Sequence, residues 1–582
     1  MAKYRYYALA ALSGLLLGLA YPGWGFSLGW LAWIGLIPLL WALSQFTQKS
    51  DRFCMRTSFL IGFATGLTYF LIVFRWLWSV YPLDTIGING RFLSLLGVAA
   101  VYLISSAGMA LFWGLFGLVS NFWFLVFSKK SDDYKLPTTN YQLFLVVPAL
   151  FVLLEYLRSW GFGFLWAGSG SLFGPHWTLG NLAYALAANP LALKLASFVG
   201  IYGVTFLVIL VNILLTTILV VIYTRPYKSY HWKIVRNFAP VFVAVAVITA
   251  VGFLTKLLPP NQETGIGNKK INFAIIQTAQ QTRIDPSPQE KLAGFKEQLE
   301  LLNRVAKEHP ESQLIVFPEA SDFFTNLSLF LTPTQAQDYF SKLFKEPRLV
   351  ISGSRILDSA TGKAYSRVFS LDTHGDIIGF YDKRLVAPGG EFLPYPLKFL
   401  VYLFSKNASS LFNQFRDLRP GQKEVSTVGF RYQFNVAPII CSEAMAPGLI
   451  KKTTQNSDVI VSMASYSAFH GNRTIADQMF AITRFRAAEN RKPIITATNM
   501  GRSYVIDAMG NIVYMSGPHP VKSEAFNGAG ILTGAVDITR QQSWYNKVGD
   551  TPVLLGCLLL AIITILKVRV GQIKNWLRRN QS

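Results

Sequence analysis

Three reactive side chains each follow a short apolar run in the second half of this 582-residue chain. Glu319 stands in IVFPEAS, Lys383 in GFYDKRLVAPGGEFLP and Cys441 in APIICSEAM. A thiol needs a base to become the nucleophilic thiolate, and a fixed cation can stabilise the oxyanion that forms when the thiolate attacks a carbonyl carbon. The three residues therefore predict covalent catalysis at a carbonyl group. Taken singly, each also has an ordinary explanation as a core thiol, a helix cap or a solvated lysine.

The surrounding region alternates β-prone runs with helical periodicity. Apolar spacing predicts helices over 288–308 and 474–490. The predicted strands are 271–278, 313–320, 348–354, 365–371, 377–383, 435–441, 458–465, 493–499 and 503–507. This alternation predicts a layered α/β domain with its own core. Such folds place their chemistry at strand ends, where these three side chains lie.

Composition indicates that the rest of the chain is membrane-embedded. Hydrophobic residues make up 52% and charged residues 15%, against about 25% charged in soluble proteins, which excludes a purely soluble, disordered or fibrous protein. A membrane-spanning helix needs about 17–25 apolar residues. Eight runs fit, with 92–127 counted as one helix: 6–21, 27–45, 58–79, 92–127, 142–160, 195–223, 238–257 and 552–566.

The charge distribution predicts how these spans are oriented. With the N-terminus inside, the inner segments carry 17 basic residues against three acidic ones, whereas 258–551 carries 32 basic and 26 acidic. Because basic residues accumulate on the cytoplasmic side, both termini are expected in the cytoplasm and the polar region outside. The net charge of +23 thus comes largely from basic residues in the predicted inner segments, where membrane orientation accounts for them. This disfavours a role in nucleic-acid binding. The predicted domains are a seven-span region 1–257, an outer domain 258–551, and an eighth span with a basic tail 552–582.

Other reactive or charged residues have weaker interpretations. Glu155 and Arg158 can pair across one helical turn near the outer end of the fifth span, as an interfacial anchor or as a functional intramembrane pair. Arg75 is interpreted as an interfacial anchor. Cys54 lies in an inner loop and Cys557 inside the last span, so neither can reach Cys441; no intramolecular disulfide is expected.

At these motifs the chain resembles the nitrilase (carbon–nitrogen hydrolase) superfamily, with its Glu–Lys–Cys triad. Seven spans before the domain and one after resemble the bacterial apolipoprotein N-acyltransferases within it. The outer motifs FPEA, YDKRLVAPGGEFLP, CSEA, RFRAAENRKPI and TATNMGRS occur in that family's order. In the membrane half, the segments YPGWGFSLGWLAWIGLIPLLWAL and PALFVLLEYLRSWGFGFLWAGSGS resemble the corresponding segments of that family.

The resemblance implies a polytopic α-helical membrane domain with an extracytoplasmic α-β-β-α sandwich. By position, Glu319 is the implied general base, Lys383 the catalytic lysine and Cys441 the nucleophile. Two further glutamates, Glu391 and Glu443, are implied to orient the lysine or the incoming amine; a purely structural hydrogen-bonding role is the alternative.

The implied reaction is a ping-pong acyl transfer in the bacterial inner membrane, with the catalytic domain on the periplasmic side. A phospholipid, expected to be phosphatidylethanolamine, acylates the cysteine. The α-amine of a diacylglyceryl-cysteine apolipoprotein then takes the acyl chain. No metal or organic cofactor is implied, since the six histidines lack metal-ligand spacing, and the protein is expected to be a monomer.

Some positions depart from the family pattern. Ser442 stands where the family usually has Tyr, and His470 is new in its loop; both are expected at the pocket mouth, with His470 as a surface residue. The apolar segment 393–412 is expected to dip into the headgroup region, with plain packing as the alternative.

Two other functions remain open from the sequence. One is a membrane-tethered amidase acting on a soluble C–N substrate, which would use the same triad. The other is a transporter or receptor with a non-catalytic outer domain, which the presence of Glu319, Lys383 and Cys441 disfavours.

Overall fold

A computed structural model describes residues 2–45, 52–83, 90–128, 141–224, 269–281, 287–359, 361–373, 377–404, 417–422, 428–430, 433–516 and 528–579. Its first half and its last segment are helical. The helices are α1 (Ala2–Ala20), α2 (Ile37–Ser44), α3 (Arg52–Val73), α4 (Arg91–Ser128), α5 (Tyr141–Leu165), α6 (Pro190–Thr224) and, at the end, α14 (Thr551–Arg579).

Within the described residues, four helical segments are long and apolar enough to cross a membrane: Met55–Val73, Arg91–Ser120, Phe144–Leu165 and Pro190–Val220. Gly29–Ser44 and Thr551–Lys567 are shorter apolar helices. The run at 92–127 forms one helix, as predicted. The run at 27–45 is instead split into a 3₁₀ segment, Gly29–Trp33, and α2, because Pro38 lacks an N–H and begins a new helix. The predicted span 238–257 lies outside the described residues.

The strands that lie between α6 and α14 in the chain form two six-stranded sheets. Their orders are β12-β1-β2-β3-β4-β5 and β11-β10-β9-β8-β7-β6. The strands are β1 (Lys269–Gln277), β2 (Leu314–Val316), β3 (Leu349–Asp358), β4 (Lys363–Asp372), β5 (Ile377–Asp382), β6 (Val428–Phe430), β7 (Phe434–Ile440), β8 (Val459–Ser465), β9 (Ile494–Asn499), β10 (Tyr504–Ile506), β11 (Ile512–Met515) and β12 (Gly530–Ile538).

Helices cover both outer faces of the paired sheets. On the first sheet lie α7 (Pro288–Glu308), α8 (Phe323–Phe330) and α9 (Pro333–Leu343), and near the second lie α11 (Pro447–Thr454), α12 (Arg473–Asn490) and α13 (Trp544–Val548). Helix α10 (Tyr395–Phe404) begins beside the segment that follows α5. The predicted helices at 288–308 and 474–490 are confirmed as α7 and α12.

The period-2 alternation of strand residues divides the domain into layers. In β7, Ile440 packs between the two sheets, whereas Ile439 faces the helices on the opposite side. Val461 and Ile460 in β8 divide in the same way. The order is therefore helix, sheet, sheet, helix, which confirms the predicted α-β-β-α sandwich.

The core beneath the second sheet continues into the membrane helices. One contiguous apolar cluster contains Leu17 of α1, Val208 of α6, Ile482 of α12 and Ile494 of β9. The ring centroids of Tyr184 and Phe485 lie 5.5 Å apart across the junction. The sandwich therefore packs directly on the membrane half.

A kink in α6 fits the two halves together. Gly200 has φ of 61° inside the helix, and the freed Ile201 N–H donates to Glu489 Oε1 of α12 at 3.0 Å. A Cβ at Gly200 would lie 2.3 Å from the ring of Tyr545. Only glycine combines this positive φ with so close an approach.

We expect Gly200→Ala to destabilise the protein by about 1–3 kcal/mol, because alanine would be strained at this φ and would overlap Tyr545. The thermal unfolding midpoint of the purified protein in detergent measures this. Gly556→Ala is the matched control, since no atom lies within 4 Å of a Cβ built there. Equal midpoints for the two variants would contradict the packing described.

Candidate active site

The three predicted residues meet at the ends of strands from both sheets. Glu319 follows β2 and Lys383 follows β5 in the first sheet, while Cys441 follows β7 in the second. The facing sheets thus bring together residues that are far apart in sequence. All five predicted site residues are in the described part of the chain.

Lys383 lies at the centre, held between two carboxylates. Its Nζ donates to Glu319 Oε1 and to Glu391 Oε1, each at 2.9 Å. Its side chain is 1% exposed, and those of the two glutamates are 9% exposed. A buried ammonium is tolerable only when it is paired and hydrogen-bonded. Burial alone would lower the pKa of Lys383, but Glu319 and then Glu391 raise it above its usual value, so the ammonium stays charged.

Backbone N–H groups hold both carboxylates in place. Ser465 N–H donates to Glu319 Oε2 at 3.1 Å, and Ala387 N–H donates to Glu391 Oε2 at 2.7 Å. Glu319 therefore bridges the lysine and the end of β8. Burial raises the pKa of the Glu319 carboxyl, while Lys383 opposes that shift. A carboxylate with a raised pKa is suited to accept a proton.

Cys441 begins a 3₁₀ turn, Cys441–Met445, directly after β7. Its φ is 42°, in the left-handed region, which non-glycine residues adopt mainly where the surroundings impose it. The residue is partly exposed, unlike its buried neighbours Ile440 and Ser442. Burial of the thiol and then Glu319 raise the pKa of Cys441, whereas Lys383 lowers it. The thiolate consequently depends on the nearby ammonium.

Glu443 holds the backbone around the site and does not bond the lysine. Its Oε1 accepts from Tyr381 Oη at 2.6 Å and from Arg384 N–H at 2.7 Å, and its Oε2 accepts from Ile440 N–H at 2.7 Å. It therefore ties the strand before Cys441 to the lysine strand. Of the two predicted orienting glutamates, Glu391 contacts Lys383 and Glu443 fixes the backbone.

Several contributors were not predicted from the sequence. Tyr381 binds Glu443, and Ser465 supplies the N–H to Glu319. A signal for Tyr381 existed, because it precedes Lys383 by two residues and thus projects to the same side of its strand. Ser465 had no such signal, since only its backbone takes part.

Ser442 and His470 lie in different surroundings. Ser442 is 2% exposed and donates to the Leu385 carbonyl, so its expected place at the pocket mouth is wrong. His470 is exposed, and its Nδ1 lies 2.6 Å from the Ser79 carbonyl oxygen of the membrane half. Its prediction as a surface loop residue is confirmed.

All three charged residues predicted near the membrane boundary have partners within the protein. Arg158 Nε donates to Glu155 Oε1 at 2.9 Å, and its Nη1 donates to the Leu179 carbonyl at 2.9 Å. Both side chains are buried. Arg75 lies 3.8 Å from the ring centroid of Trp24 and donates to the Gly23 carbonyl.

Comparison with known sequences covers both halves. Residues 13–214 match the family described as apolipoprotein N-acyltransferase N-terminal domain, and residues 273–546 match carbon-nitrogen hydrolase. An apolipoprotein N-acyltransferase of Geobacter metallireducens is 27% identical, covering 94% of this chain and 92% of the relative. One from Caulobacter vibrioides is 24% identical, covering 98% and 96%. The crystal structure of Nit3 from Saccharomyces cerevisiae, a nitrilase-superfamily member, aligns at 19% identity and a TM-score of 0.34 over 47% of this chain and 92% of that chain.

The charges around Cys441 predict opposite effects for two substitutions. Lys383→Met removes the cation that lowers the thiol pKa, so the pH midpoint of Cys441 alkylation should rise by about 1–3 units. Glu391→Gln removes a negative charge that raises this pKa, so the midpoint should fall. Iodoacetamide labelling across pH, in a chain with Cys54 and Cys557 replaced by serine, measures both. The exposed Glu308→Gln is the control. Shifts of the same sign in both variants would contradict this electrostatic account.

Proposed function

The chain belongs to the apolipoprotein N-acyltransferase family, and we propose that it transfers an acyl chain from a membrane phospholipid to an apolipoprotein through a thioester on Cys441. One observation carries the catalytic part of the proposal. A buried Lys383 is paired with Glu319 and Glu391 beside a partly exposed thiol. These are the base, cation and nucleophile that acyl transfer requires.

The first half-reaction acylates the enzyme. Glu319 accepts the thiol proton, and the sulfur attacks the ester carbonyl carbon of the phospholipid. The Lys383 ammonium stabilises the negative charge on the carbonyl oxygen. The carbon–oxygen ester bond then breaks, the leaving alkoxide takes the proton from Glu319, and a lysophospholipid departs.

The second half-reaction forms an amide. The acceptor is the α-amine of the diacylglyceryl-modified N-terminal cysteine of an apolipoprotein. The amine attacks the thioester carbon while Glu319 takes a proton from its nitrogen. The carbon–sulfur bond breaks, and the Cys441 thiolate is protonated again. Glu391 keeps Lys383 in position through both steps, and Glu443 keeps the backbone on either side of the thiol in place.

The membrane arrangement is part of the proposal. The chain has eight spans, seven in 1–257 and one in 552–582, with both termini in the cytoplasm and the catalytic domain 258–551 in the periplasm. The low charge imbalance of 258–551 and the apolar helices on either side of it support this orientation. Phosphatidylethanolamine in the bacterial inner membrane is the proposed donor, and the protein acts as a monomer.

Helix α10 is proposed to contact the bilayer beside the site. Its first residue, Tyr395, donates its N–H to the Ala167 carbonyl at 2.8 Å, just beyond the end of α5. Three aromatic side chains of α10 are 54–64% exposed: Tyr395, Phe399 and Tyr402. Exposed aromatic groups at such a position are typical of membrane interfaces. The helix follows the Lys383–Glu391 loop, so it places that loop near the lipid.

The thioester is the first prediction to test. After incubation with phosphatidylethanolamine, intact-mass analysis should detect one added acyl chain on the wild-type protein and none on Cys441→Ala. A diacylglyceryl-cysteinyl peptide should discharge the adduct. No adduct on the wild type, together with hydrolysis of a small amide, would favour the membrane-tethered amidase instead.

The contribution of α10 is tested by charge substitution. Phe399→Asp and Tyr402→Asp should each slow thioester formation from lipid vesicles by about tenfold, because a carboxylate resists entry into the headgroup region. Acylation by a water-soluble p-nitrophenyl ester should be unchanged. Leu357→Asp, at a residue 73% exposed elsewhere on the domain, is the control. Equal loss with both donors would indicate a folding defect and not a role in lipid access.

A further inference from the structure

A cavity separate from the three proposed catalytic residues lies where the sandwich meets the C-terminal end of α1. Its volume is about 340 Å³, within the range of about 300–1,000 Å³ typical of small-ligand sites. One wall comes from the turn after α1, with Gly23 and Phe26; the other comes from α12 and the β9–β10 connection. In the described part of the chain, Glu319, Lys383 and Cys441 do not line it. We call it the junction cavity.

Three arginines and one aspartate line the junction cavity: Arg473, Asp477, Arg484 and Arg502. Arg473 Nε lies 3.3 Å from Asp477 Oδ2. Arg484 donates to the Gly510 carbonyl at 2.7 Å, and the guanidinium of Arg502 contacts Met515 Sδ at 3.7 Å. Within the described residues, neither of these two arginines has a carboxylate at ion-pair distance. The three arginines and one aspartate give the lining a net charge of +2, which Asp507 offsets in part at longer range.

This excess is electrostatically unfavourable without a bound anion. Burial lowers the pKa of Arg484 to about 10. Burial, and then the charge of Arg473, lowers the pKa of Arg502. An anion among the three guanidinium groups would relieve both effects. Phosphate oxygens suit the planar, two-pronged donor geometry of arginine particularly well.

The remaining walls favour an anion that carries an apolar body. Phe26, Phe480 and Met515 line the junction cavity together with the arginines. At its mouth Phe26 is 64% exposed, and nearby Trp30 is 54% exposed. The turn that carries Phe26 directly follows α1, a helix that the proposed function places across the membrane with this end outside. Free phosphate would use only the charged part of this site.

We propose that the junction cavity binds the phosphate of a membrane glycerophospholipid, with Arg473 and Arg502 on its oxygens and the apolar wall against its glycerol and upper acyl chain. The proposal rests on the proposed function in placing this face at the outer bilayer surface, but it does not require acyl transfer. Tyr466 lines the junction cavity and directly follows Ser465, whose N–H donates to Glu319 Oε2 at 3.1 Å. A lipid held there would consequently lie beside the acylation site.

The test uses the full-length Cys441→Ala protein, in which no thioester can form. Phosphatidylglycerol with a diazirine near its glycerol is photo-crosslinked to the protein in mixed micelles, and the labelled peptides are mapped by mass spectrometry. The peptides containing Phe26 and Phe480 should be labelled. A diacylglycerol with the same diazirine should not label them.

Charge-removing variants make the test specific. Arg502→Gln and Arg473→Gln should each weaken labelling of these peptides by about tenfold, the loss of one charge-assisted hydrogen bond pair. Arg502→Lys keeps the positive charge but loses the two-pronged guanidinium donor geometry, so its labelling should be intermediate between that of the unsubstituted Arg502 protein and that of Arg502→Gln. Arg304→Gln, at a half-exposed arginine of α7, is the matched control. Unchanged unfolding midpoints show that the variants fold.

Two results would overturn the inference. Labelling of the Phe26 and Phe480 peptides that is equal in Arg502→Gln and Arg304→Gln would mean that the arginines do not bind the lipid. Complete displacement of the lipid by an equal concentration of inorganic phosphate would mean that the site binds free phosphate. Because Cys441 is absent, neither result bears on whether the wild-type enzyme forms a thioester.

Discussion

The site is organised around a single buried ammonium that must remain paired. Lys383 is almost fully removed from solvent. Removing either carboxylate partner would leave its buried ammonium with only one neighbouring negative charge. The surrounding backbone is arranged to meet this requirement. Glu391 turns the loop after Lys383 back on itself through the Ala387 N–H, and Glu443 holds the next residue, Arg384, by its N–H. The strand ends are thus fixed by electrostatics as well as by sheet pairing, and Cys441 is positioned against a cation that cannot move away.

Hydrogen bonds between paired polar groups also join the sandwich to the membrane half. Glu489 accepts the N–H that the kink at Gly200 frees, Gln478 donates to the Val73 carbonyl at the end of α3, and Arg419 donates to the Ser169 carbonyl beyond α5. Each contact satisfies a backbone group that would otherwise lie unpaired at the end or bend of a helix. Polar contacts at three separate helices, together with the shared apolar core, oppose rotation of the catalytic domain. The partly exposed Cys441 consequently keeps one orientation relative to the membrane helices.

The sequence predicted what depends on local pattern and missed what depends on tertiary contact. Buried strands such as β8 and β9 were predicted within one residue, because their runs are apolar and β-branched. Strand β12 was missed, since GILTGAVDI is rich in small residues and is stabilised by its nine-residue antiparallel register with β1. In the site, Glu319, Lys383 and Cys441 followed from strand ends and motif. The role of Glu443 could not follow, because its partners include the backbone N–H groups of Arg384, just after β5, and of Ile440, at the end of β7 in the other sheet. The arginines of the junction cavity likewise come together only where α12 packs beside the β9–β10 connection, and the turn after α1 completes the cavity.

A triad of this type can direct an acyl group either to water or to an amine, so the choice must lie in its surroundings. Cys441 packs at the boundary of two apolar clusters, one between the sheets and one shared with the membrane helices. The proposed base and cation, Glu319 and Lys383, are nearly inaccessible to solvent, which limits the water molecules that Glu319 could activate against a thioester. The thiol is the partly exposed member of the set, and the exposed aromatic face of α10 begins next to the lysine loop. In the proposed mechanism, an apolar acyl chain therefore reaches the sulfur along protein surfaces that bind water poorly, and the same surfaces disfavour hydrolysis of the thioester. In this arrangement the membrane half does more than anchor the enzyme: by continuing the core beneath the second sheet, it supplies part of the dry environment in which transfer can compete with hydrolysis.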